Sequence, residues 1–385
     1  MSAPLRIGIT CHHTLGGSGI VAAEIGLGLA RLGHQIHFIG AAPPARLAGN
    51  EQNVHFHEVG HINYPLFDHS PYTLTLASKM VEVSTRQRLD VLHVHYAVPH
   101  AISAYLARQA LGEAAPKVVT TVHGTDVTVV GGSPELRPMV ALALAQSDHL
   151  TGPSHFLEEA AVALGLPPGR SFEVIPNFVD TERFTPAPVD RTEVLRRCGL
   201  DPARILGARV LVHVSNFRPI KRITDVIEIF DRVHRRTPAV LVMVGDGPER
   251  TAAEWRVRDR GLTGQVAFTG AQRSFVDVLR ASDVFLLPSE SESFGLAALE
   301  AMSCGVPVVG SATGGVAEVV LHGKTGFLAP VGDVERMAEH VVQLLGDPAL
   351  HTRLSQGSRE RACTEFPRQR AVERYQAAYR RLLGR

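Results

Sequence analysis

The 385-residue sequence predicts an α/β protein of two doubly wound domains that face a central cleft, with a C-terminal helix that crosses back to the first domain. Short apolar runs alternate with helical stretches, a pattern typical of parallel sheets covered by helices. The alternation stops at 176–188, a stretch with three prolines, and then starts again. A chain of this length is also longer than the chains that usually fold around a single hydrophobic core.

The first domain is predicted over residues 1–180. Its opening strand at 5–10 is followed by a glycine-rich loop at 11–19, a helix at 20–32 and a strand at 35–40, which together form a β-α-β unit. Helical stretches between the later strands indicate one parallel sheet. Those later strands are predicted at 54–58, 91–94, 118–122, 149–152 and 172–175.

The second domain is predicted over residues 186–366, with the boundary at 178–186. The last stretch, about 367–385, has apolar and aromatic residues spaced for one buried helix face, and it is predicted to return to the first domain. The strands of the second domain are predicted at 209–214, 240–244, 266–269, 284–287, 306–309 and 326–328.

The charge balance argues against large anionic partners. Lys plus Arg number 39 and Asp plus Glu number 38, so the net charge of +1 gives no global attraction for nucleic acid or a membrane surface. The four cysteines have no metal or redox spacing, and no export leader or membrane-spanning run is found. A cytoplasmic protein with reduced thiols, and with no nucleic-acid or membrane partner, is therefore expected.

An acidic segment at 289–307 directly follows an apolar run that proline ends. Glu292 and Glu300 stand around Phe294 and Gly295, a turn that opens an apolar helix with Ser293 as its expected N-cap. Free N–H groups at such a junction attract phosphate, and carboxylates accept hydrogen bonds from sugar hydroxyls. The segment is typical of a nucleotide-sugar site, although by itself it equally fits a solvated loop and a polar helix face.

Cations follow the first strand of the second domain. Arg218, Lys221 and Arg222 lie where doubly wound domains bind ligands, and fixed cations can neutralise a diphosphate leaving group without a metal. A surface basic turn is the alternative. In the first domain, the loop Gly16-Gly17-Ser18-Gly19 offers backbone N–H groups to a diphosphate. Neither the dinucleotide fingerprint nor the Gly-x-x-x-x-Gly-Lys-Ser/Thr phosphate loop is present, which argues against nicotinamide and ATP.

Histidine is frequent, at 19 residues, but its spacing matches no metal motif. The sequence also has no Asp-x-Asp element to bridge a divalent cation to a diphosphate, so no metal or other cofactor is expected. A strand delivers His123 to its carboxyl end beside Gly124, and Tyr96 follows an earlier strand. This placement suits a hydrogen bond to a sugar or an acceptor, whereas a satisfied core histidine is the alternative.

Together, the motifs at 16–19, 216–221, 244–249 and 292–300 resemble those of the GT-B retaining glycosyltransferases of family 4. The resemblance covers almost the whole chain and implies two Rossmann-like domains, an acceptor-side domain followed by a UDP-sugar-binding domain. Four further segments are similar to the branch of the family that joins N-acetylglucosamine from UDP-N-acetylglucosamine to L-malate, the first step of bacillithiol biosynthesis. Those segments are 9–11, 95–101, 123–126 and 213–218.

The resemblance also implies roles for individual residues. Glu300 would bind the ribose hydroxyls, Glu292 the donor sugar and Lys221 the phosphate. Asn216 stands where the family usually has an arginine, and Arg218 is expected to supply that charge. The implied donor-binding residues are Gly17, Ser18, Asn216, Arg218, Lys221, Glu292, Phe294, Gly295 and Glu300. The implied catalytic residues are His123, which would contact a donor-sugar hydroxyl, Arg218, Lys221 and Glu292.

The acceptor site is predicted in the first domain. Malate carries two carboxylates, which require cations, hydroxyls or backbone N–H groups around them. A lipid or inositol-phosphate acceptor is one alternative, a sugar-nucleotide binding protein without turnover is another, and a homo-oligomer is left open. The candidate acceptor residues are Ser18, Tyr96, Thr121 and Thr125, with Arg46 and Lys79 as charge partners.

Overall fold

A computed structural model describes residues 3–12, 17–47, 49, 51–60, 70–166 and 172–385. These residues form two compact units. The first comprises residues up to Asn177 together with Arg368–Arg385, and the second comprises Phe178–Pro367. Each unit contains one parallel sheet covered by helices, which confirms the predicted α/β class.

Seven parallel strands form the sheet of the first unit in its described part, in the order β3-β2-β1-β4-β5-β6-β7. Chain order reverses between β1 and β4, so the carboxyl ends of these strands form a switch point, where doubly wound sheets bind ligands. The strands are β1 (Arg6–Thr10), β2 (Gln35–Gly40), β3 (Val54–Glu58), β4 (Val91–His95), β5 (Lys117–Thr121), β6 (His149–Gly152) and β7 (Phe172–Val174).

Helices cover this sheet, and its central strands are buried on both faces; β4 is buried at every position. Leu76 and Met80 of the second helix and Ala104 of the third contribute to one core cluster over β4 and β5. The helices are α1 (Gly17–Arg31), α2 (Tyr72–Gln87), α3 (Ile102–Leu111), α4 (Arg137–Gln146) and α5 (His155–Ala163), with short helical turns at Ala97–Ala101, Gly112–Ala114 and Asp126–Val130.

The second unit repeats this architecture with six parallel strands in the order β10-β9-β8-β11-β12-β13. Its switch point lies between β8 and β11. The strands are β8 (Arg209–Val214), β9 (Ala239–Val244), β10 (Val266–Gly270), β11 (Val284–Leu287), β12 (Val308–Ser311) and β13 (Gly326–Ala329).

Two apolar clusters, one on each face of this sheet, hold its helices in place. Helix α8 shows the cause: Ile223, Val226, Ile227 and Phe230 recur at helical spacing and are fully buried. The helices are α6 (Arg191–Arg197), α7 (Pro202–Ile205), α8 (Ile223–His234), α9 (Arg250–Asp259), α10 (Val276–Arg280), α11 (Leu296–Ser303), α12 (Val316–Val319), α13 (Val334–Gly346) and α14 (Pro348–Glu365), with a short turn at Pro219–Lys221.

The last helix, α15 (Arg368–Leu383), belongs to the first unit, as the sequence predicted. It packs on α1, where a side chain at Gly28 would overlap Val372. Tyr375 and Tyr379 are buried by this packing. Within the described residues, no helix combines the length and apolar character needed to cross a membrane.

Two local predictions were wrong. Helix α1 begins at Gly17 rather than Ile20, so Gly17 and Ser18 lie in its first turn and not in a loop. Gly16 lies outside the described residues. Ser293 does not cap α11, because the N-cap position is Gly295, whose positive φ of 91° suits glycine.

Candidate functional site

An ion pair marks the switch point of the second unit. The Nζ atom of Lys221, in the loop after β8, lies 2.6 Å from Oε1 of Glu292, in the loop after β11. Their side chains are 19% and 11% exposed, so the pair is mostly buried but open on one side. The backbone N–H of Glu290 also donates to the carbonyl oxygen of Ile220. The two sequence motifs that carry opposite charges are thus held together at the ligand-binding edge of the sheet.

A third loop, after β12, fixes Glu292 from the other side. The backbone N–H of Gly315 donates to the Glu292 carbonyl oxygen at 2.8 Å, and the Thr313 hydroxyl donates to the Glu290 carbonyl oxygen at 3.0 Å. A Cβ atom at Gly314 would overlap the same Glu292 oxygen. The Ser289 hydroxyl donates to Glu292 Oε1 at 3.0 Å. Sequence reasoning missed this loop, although the pair Gly314-Gly315 shortly after an apolar strand was a usable signal.

Buried hydrogen bonds shape the turn that leads from β8 to Lys221. Nδ1 of His213 lies 2.9 Å from the Leu286 carbonyl oxygen, so Nδ1 carries the proton and Nε2 accepts from the Ser215 hydroxyl at 2.7 Å. Ser215 Oγ in turn accepts from the Phe217 N–H. Burial lowers the pKa of His213 to about 4, so the ring is neutral near pH 7. The network supports Phe217 at a positive φ of 39°.

The glycine turn after β9 has a structural reason. Cβ atoms at Gly245 and Gly247 would overlap the carbonyl oxygens of Ser215 and Asn216. The two glycines therefore let this turn pack directly against the backbone of residues 215–217. The 244–249 motif thus has a structural role in the second unit.

The remaining cations of this loop differ in their surroundings. Arg222 donates to Asp225 in the first turn of α8, and its guanidinium lies near Gly332. Arg218 and Asn216 are exposed, and Arg218 forms no ion pair within the described residues. Arg218 as the substitute for the family arginine thus stays a prediction.

Core packing holds two of the predicted donor-binding residues, Phe294 before α11 and Glu300 on it. Phe294 is 2% exposed and makes an edge contact with Phe366, with ring centroids 5.6 Å apart. The phenyl ring therefore belongs to the core, and a ligand can meet this turn only through its backbone. Glu300 lies one turn into α11 and is 9% exposed. Its role at a ribose stays a prediction.

In the first unit, His123 is fixed at the carboxyl end of β5. Its Nε2 atom lies 2.8 Å from Nδ1 of His95 on the adjacent strand, and its ring stacks on that of Tyr96 at 5.2 Å between centroids. Asp126 accepts backbone hydrogen bonds from His123, Gly124 and Ala97. Sequence reasoning assigned no role to Asp126, which ties the ends of β4 and β5 together.

Behind His123 lies a network of neutral histidines. Burial lowers the pKa of His93 and of His123 to about 3, and that of His100 to about 4. Burial likewise lowers the pKa of His95 well below its ordinary value. These rings act as neutral hydrogen-bonding groups near pH 7.

The structure gives Thr121 a different role from the predicted one. Its hydroxyl is buried between Nε2 of His93 at 2.7 Å and the Thr151 hydroxyl at 2.5 Å, with the Tyr375 hydroxyl at 3.4 Å. Because these core partners engage the Thr121 hydroxyl, Thr121 does not offer it to an acceptor.

The other acceptor candidates lie nearer the surface. Ser18 and Tyr96 are half-buried and Thr125 is exposed. Both candidate cations already have acidic neighbours: Arg46 lies 3.8 Å from Glu24, and Lys79 lies 2.7 Å from Glu82. Binding malate would require them to exchange these partners. Across the described part of the chain, no group of three or more His, Cys, Asp or Glu side chains is arranged to hold a metal ion.

Comparison with known families gives two matches along the chain. Residues 15–183 match the model of glycosyltransferase family 4, and residues 202–361 match the model of glycosyl transferases group 1. The matches fall in the two halves that the structure separates. They agree with the family that the motifs indicated.

Similar proteins extend these matches. The chain is 42% identical to the N-acetyl-alpha-D-glucosaminyl L-malate synthase of Bacillus anthracis, over 97% of this chain and 96% of that protein. It is 33% identical to a GDP-mannose-dependent alpha-(1-6)-phosphatidylinositol monomannoside mannosyltransferase of Mycolicibacterium smegmatis, over 71% and 72% of the two chains. A solved glycosyltransferase structure from Rickettsia africae superposes with a TM-score of 0.82 at 17% identity, over 99% of each chain, and so shares the fold.

Proposed function

The chain belongs to the family 4 glycosyltransferases, and from this premise we propose that it transfers N-acetylglucosamine from UDP-N-acetylglucosamine to the hydroxyl of L-malate. The full-length relationship to an L-malate synthase supports this choice of donor and acceptor. The observation that carries the donor site is the Lys221–Glu292 pair at the switch point of the second unit. A cation and a carboxylate at that edge suit a phosphate and a sugar hydroxyl, respectively.

In the proposed reaction, the bond between the anomeric carbon and the UDP oxygen breaks, and a bond to the malate hydroxyl oxygen forms on the same face. The malate hydroxyl proton passes to the departing phosphate, so the products are the N-acetyl-alpha-D-glucosaminyl malate and UDP. Lys221 stabilises the charge that grows on the leaving diphosphate, which places the main protein contribution in electrostatics and positioning. In this scheme the fixed cation takes the place of a metal.

Binding phosphate requires Lys221 to turn from Glu292 towards the ligand. Glu292 would then be free to accept a hydrogen bond from a donor-sugar hydroxyl, while Ser289 keeps the carboxylate in place. Glu300 is assigned to the ribose hydroxyls, and Gly17 and Ser18 to the diphosphate. A cytoplasmic location belongs to the proposal, and the four free thiols suit a reducing compartment.

A direct assay tests the proposal. Purified protein is mixed with UDP-N-acetylglucosamine and a panel of hydroxy acids in the presence of a chelator, and both UDP and the coupled product are followed by mass spectrometry. We expect UDP and a product with malate. No product with malate, but a product with inositol phosphate or a lipid, would support the alternative acceptors. Donor binding without any UDP release would indicate a non-catalytic binding protein.

A further inference from the structure

The contact between His95 and His123 limits which ring nitrogens of the two residues can be protonated. Nδ1 of His95 and Nε2 of His123 are 2.8 Å apart, and both rings are neutral because burial lowers both pKa values. A hydrogen bond between two neutral rings has one donor and one acceptor, so only two arrangements exist. They differ in what the other nitrogen of His123, Nδ1, offers to a ligand.

The far side of His95 distinguishes these arrangements. His95 is fully buried, and its Nε2 atom has no hydrogen-bond partner in the described part of the chain. If Nε2 carried the proton, a buried N–H donor would be orphaned, which proteins strongly avoid. If Nδ1 carries it, Nε2 is a bare nitrogen and the proton lies in the contact with His123.

His100 shows that the first unit tolerates a buried, unprotonated ring nitrogen that receives no hydrogen bond from the described residues. Its Nδ1 atom faces the His95 carbonyl oxygen at 2.5 Å and must therefore be the donor. Its Nε2 atom, consequently unprotonated, is also buried with no partner in the described part of the structure. The same pattern at His95 places the donor on Nδ1 in both rings.

We propose that His95 is a positioning residue that holds His123 in the Nδ1–H tautomer, so that His123 presents an N–H donor to an oxygen of the donor sugar. The sugar contact rests on the proposed function, whereas the tautomer does not. Since Nε2 of His123 accepts from His95, Nδ1 is the ring nitrogen left for a ligand. Stacking on Tyr96 and the hydrogen bond from the His123 N–H to Asp126 hold the ring and its backbone in place.

Nitrogen NMR of the ligand-free protein tests the tautomer directly. In 15N-labelled protein, with the His123 signals assigned by their loss in H123A, we expect a protonated, pyrrole-type Nδ1 and a pyridine-type Nε2. In H95L, which removes the donor, this preference should be lost or reversed. A protonated Nε2 in the unsubstituted protein, or an unchanged tautomer in H95L, overturns the proposal. The first measurement decides even if H95L does not fold.

His93 provides a matched control. It lies on the same strand and is equally buried, but its ring nitrogens contact the hydroxyls of Thr121 and Tyr379. H93L therefore disturbs the same core while leaving the His95–His123 contact in place. The His123 tautomer should be retained in H93L. A tautomer change in H93L equal to that in H95L would show that core damage, rather than the lost donor, controls the ring.

Donor analogues test the link to the sugar. Calorimetry with UDP-N-acetylglucosamine and its single-deoxy analogues should show one analogue that binds the unsubstituted protein about tenfold more weakly, as expected for one lost hydrogen bond. H95L should bind the ordinary donor about tenfold more weakly and should no longer distinguish that analogue. If NMR shows the expected tautomer but no deoxy analogue binds more weakly, the sugar contact is overturned. Transfer to malate is tested separately by the product assay.

Discussion

The ligand-binding edges of the two units use different chemistry on the same sheet architecture. In the second unit, Lys221 and Glu292 place full charges on loops that are partly open to solvent. In the first unit, His95 and His123 are buried, neutral and joined ring to ring. The lysine cation can neutralise the charge of a diphosphate, whereas a neutral ring held by core packing can fix the direction of a hydrogen bond. The comparison assigns charge stabilisation to the second unit and the orientation of a hydrogen bond to the first.

Removing the cation should give the largest effect. Lys221→Ala should lower kcat by about 10²- to 10³-fold, because the charge on the leaving diphosphate loses its fixed counter-ion. Steady-state UDP release measures this. The adjacent Arg222→Ala, whose side chain is engaged with Asp225, removes the same charge and should cost less than about fivefold. Equal losses in the two variants would mean that bulk charge, rather than the position of Lys221, matters.

A glycine pair tests how strongly position matters in the second unit. Gly314→Ala would push its Cβ into the Glu292 carbonyl oxygen, and we expect kcat/KM to fall about 10- to 100-fold as the carboxylate shifts. Gly323→Ala is the matched control, because Gly323 also has a positive φ, of 74°, but open space around it. In urea unfolding Gly314→Ala should lose more stability than Gly323→Ala, because only its Cβ meets backbone atoms. Equal kinetic effects would show that backbone strain, and not the displaced Glu292, is responsible.

Acid should affect the first unit before the second. The lowered pKa values of His93, His100 and His123 mean that the unfolded chain binds protons first as the pH falls below about 6.5. Their stabilisation is complete above that pH and is lost as the pH falls towards 4 and 3. At pH 5.5 each contributes a loss of about 1.4 kcal/mol. In the second unit, burial lowers the pKa of His213 to about 4 and also lowers the pKa of His340.

Hydrogen exchange read by mass spectrometry at pH 7.5 and 5.5, corrected for intrinsic rates, measures this difference. Protection should fall more in peptides from the first unit. Greater loss of protection in the second unit would contradict the assignment.

The fold was predictable because strong local patterns agree with the tertiary structure. β8 and β11 have the predicted bounds, since short apolar runs ended by polar or proline residues leave little choice. The start of α1 was missed because Gly17 and Gly19 are poor helix formers, and tertiary packing outweighs that propensity.

Side-chain partners were less predictable. Thr121 lies at a strand end, as predicted. Its hydroxyl, however, lies near the hydroxyl of Tyr375, which is 254 residues later in the chain and could not be identified as a partner from local sequence. Local sequence cannot show which face α15 covers. The His95–His123 contact likewise depends on strand pairing, which joins His95 to Thr121 in register.

The helix α15 also affects how the protein is made. The first unit is built from both ends of the chain, and 190 residues of the second unit, Phe178–Pro367, are synthesised between its two parts. At ribosomal rates of about 5–20 residues per second, the emerging first unit waits about 10–40 s for its last helix. Until then β4 lacks its Tyr379 partner and α1 has no Val372 against it. A product terminated before Arg368 keeps this apolar surface uncovered, which is a surface that chaperones and proteases recognise.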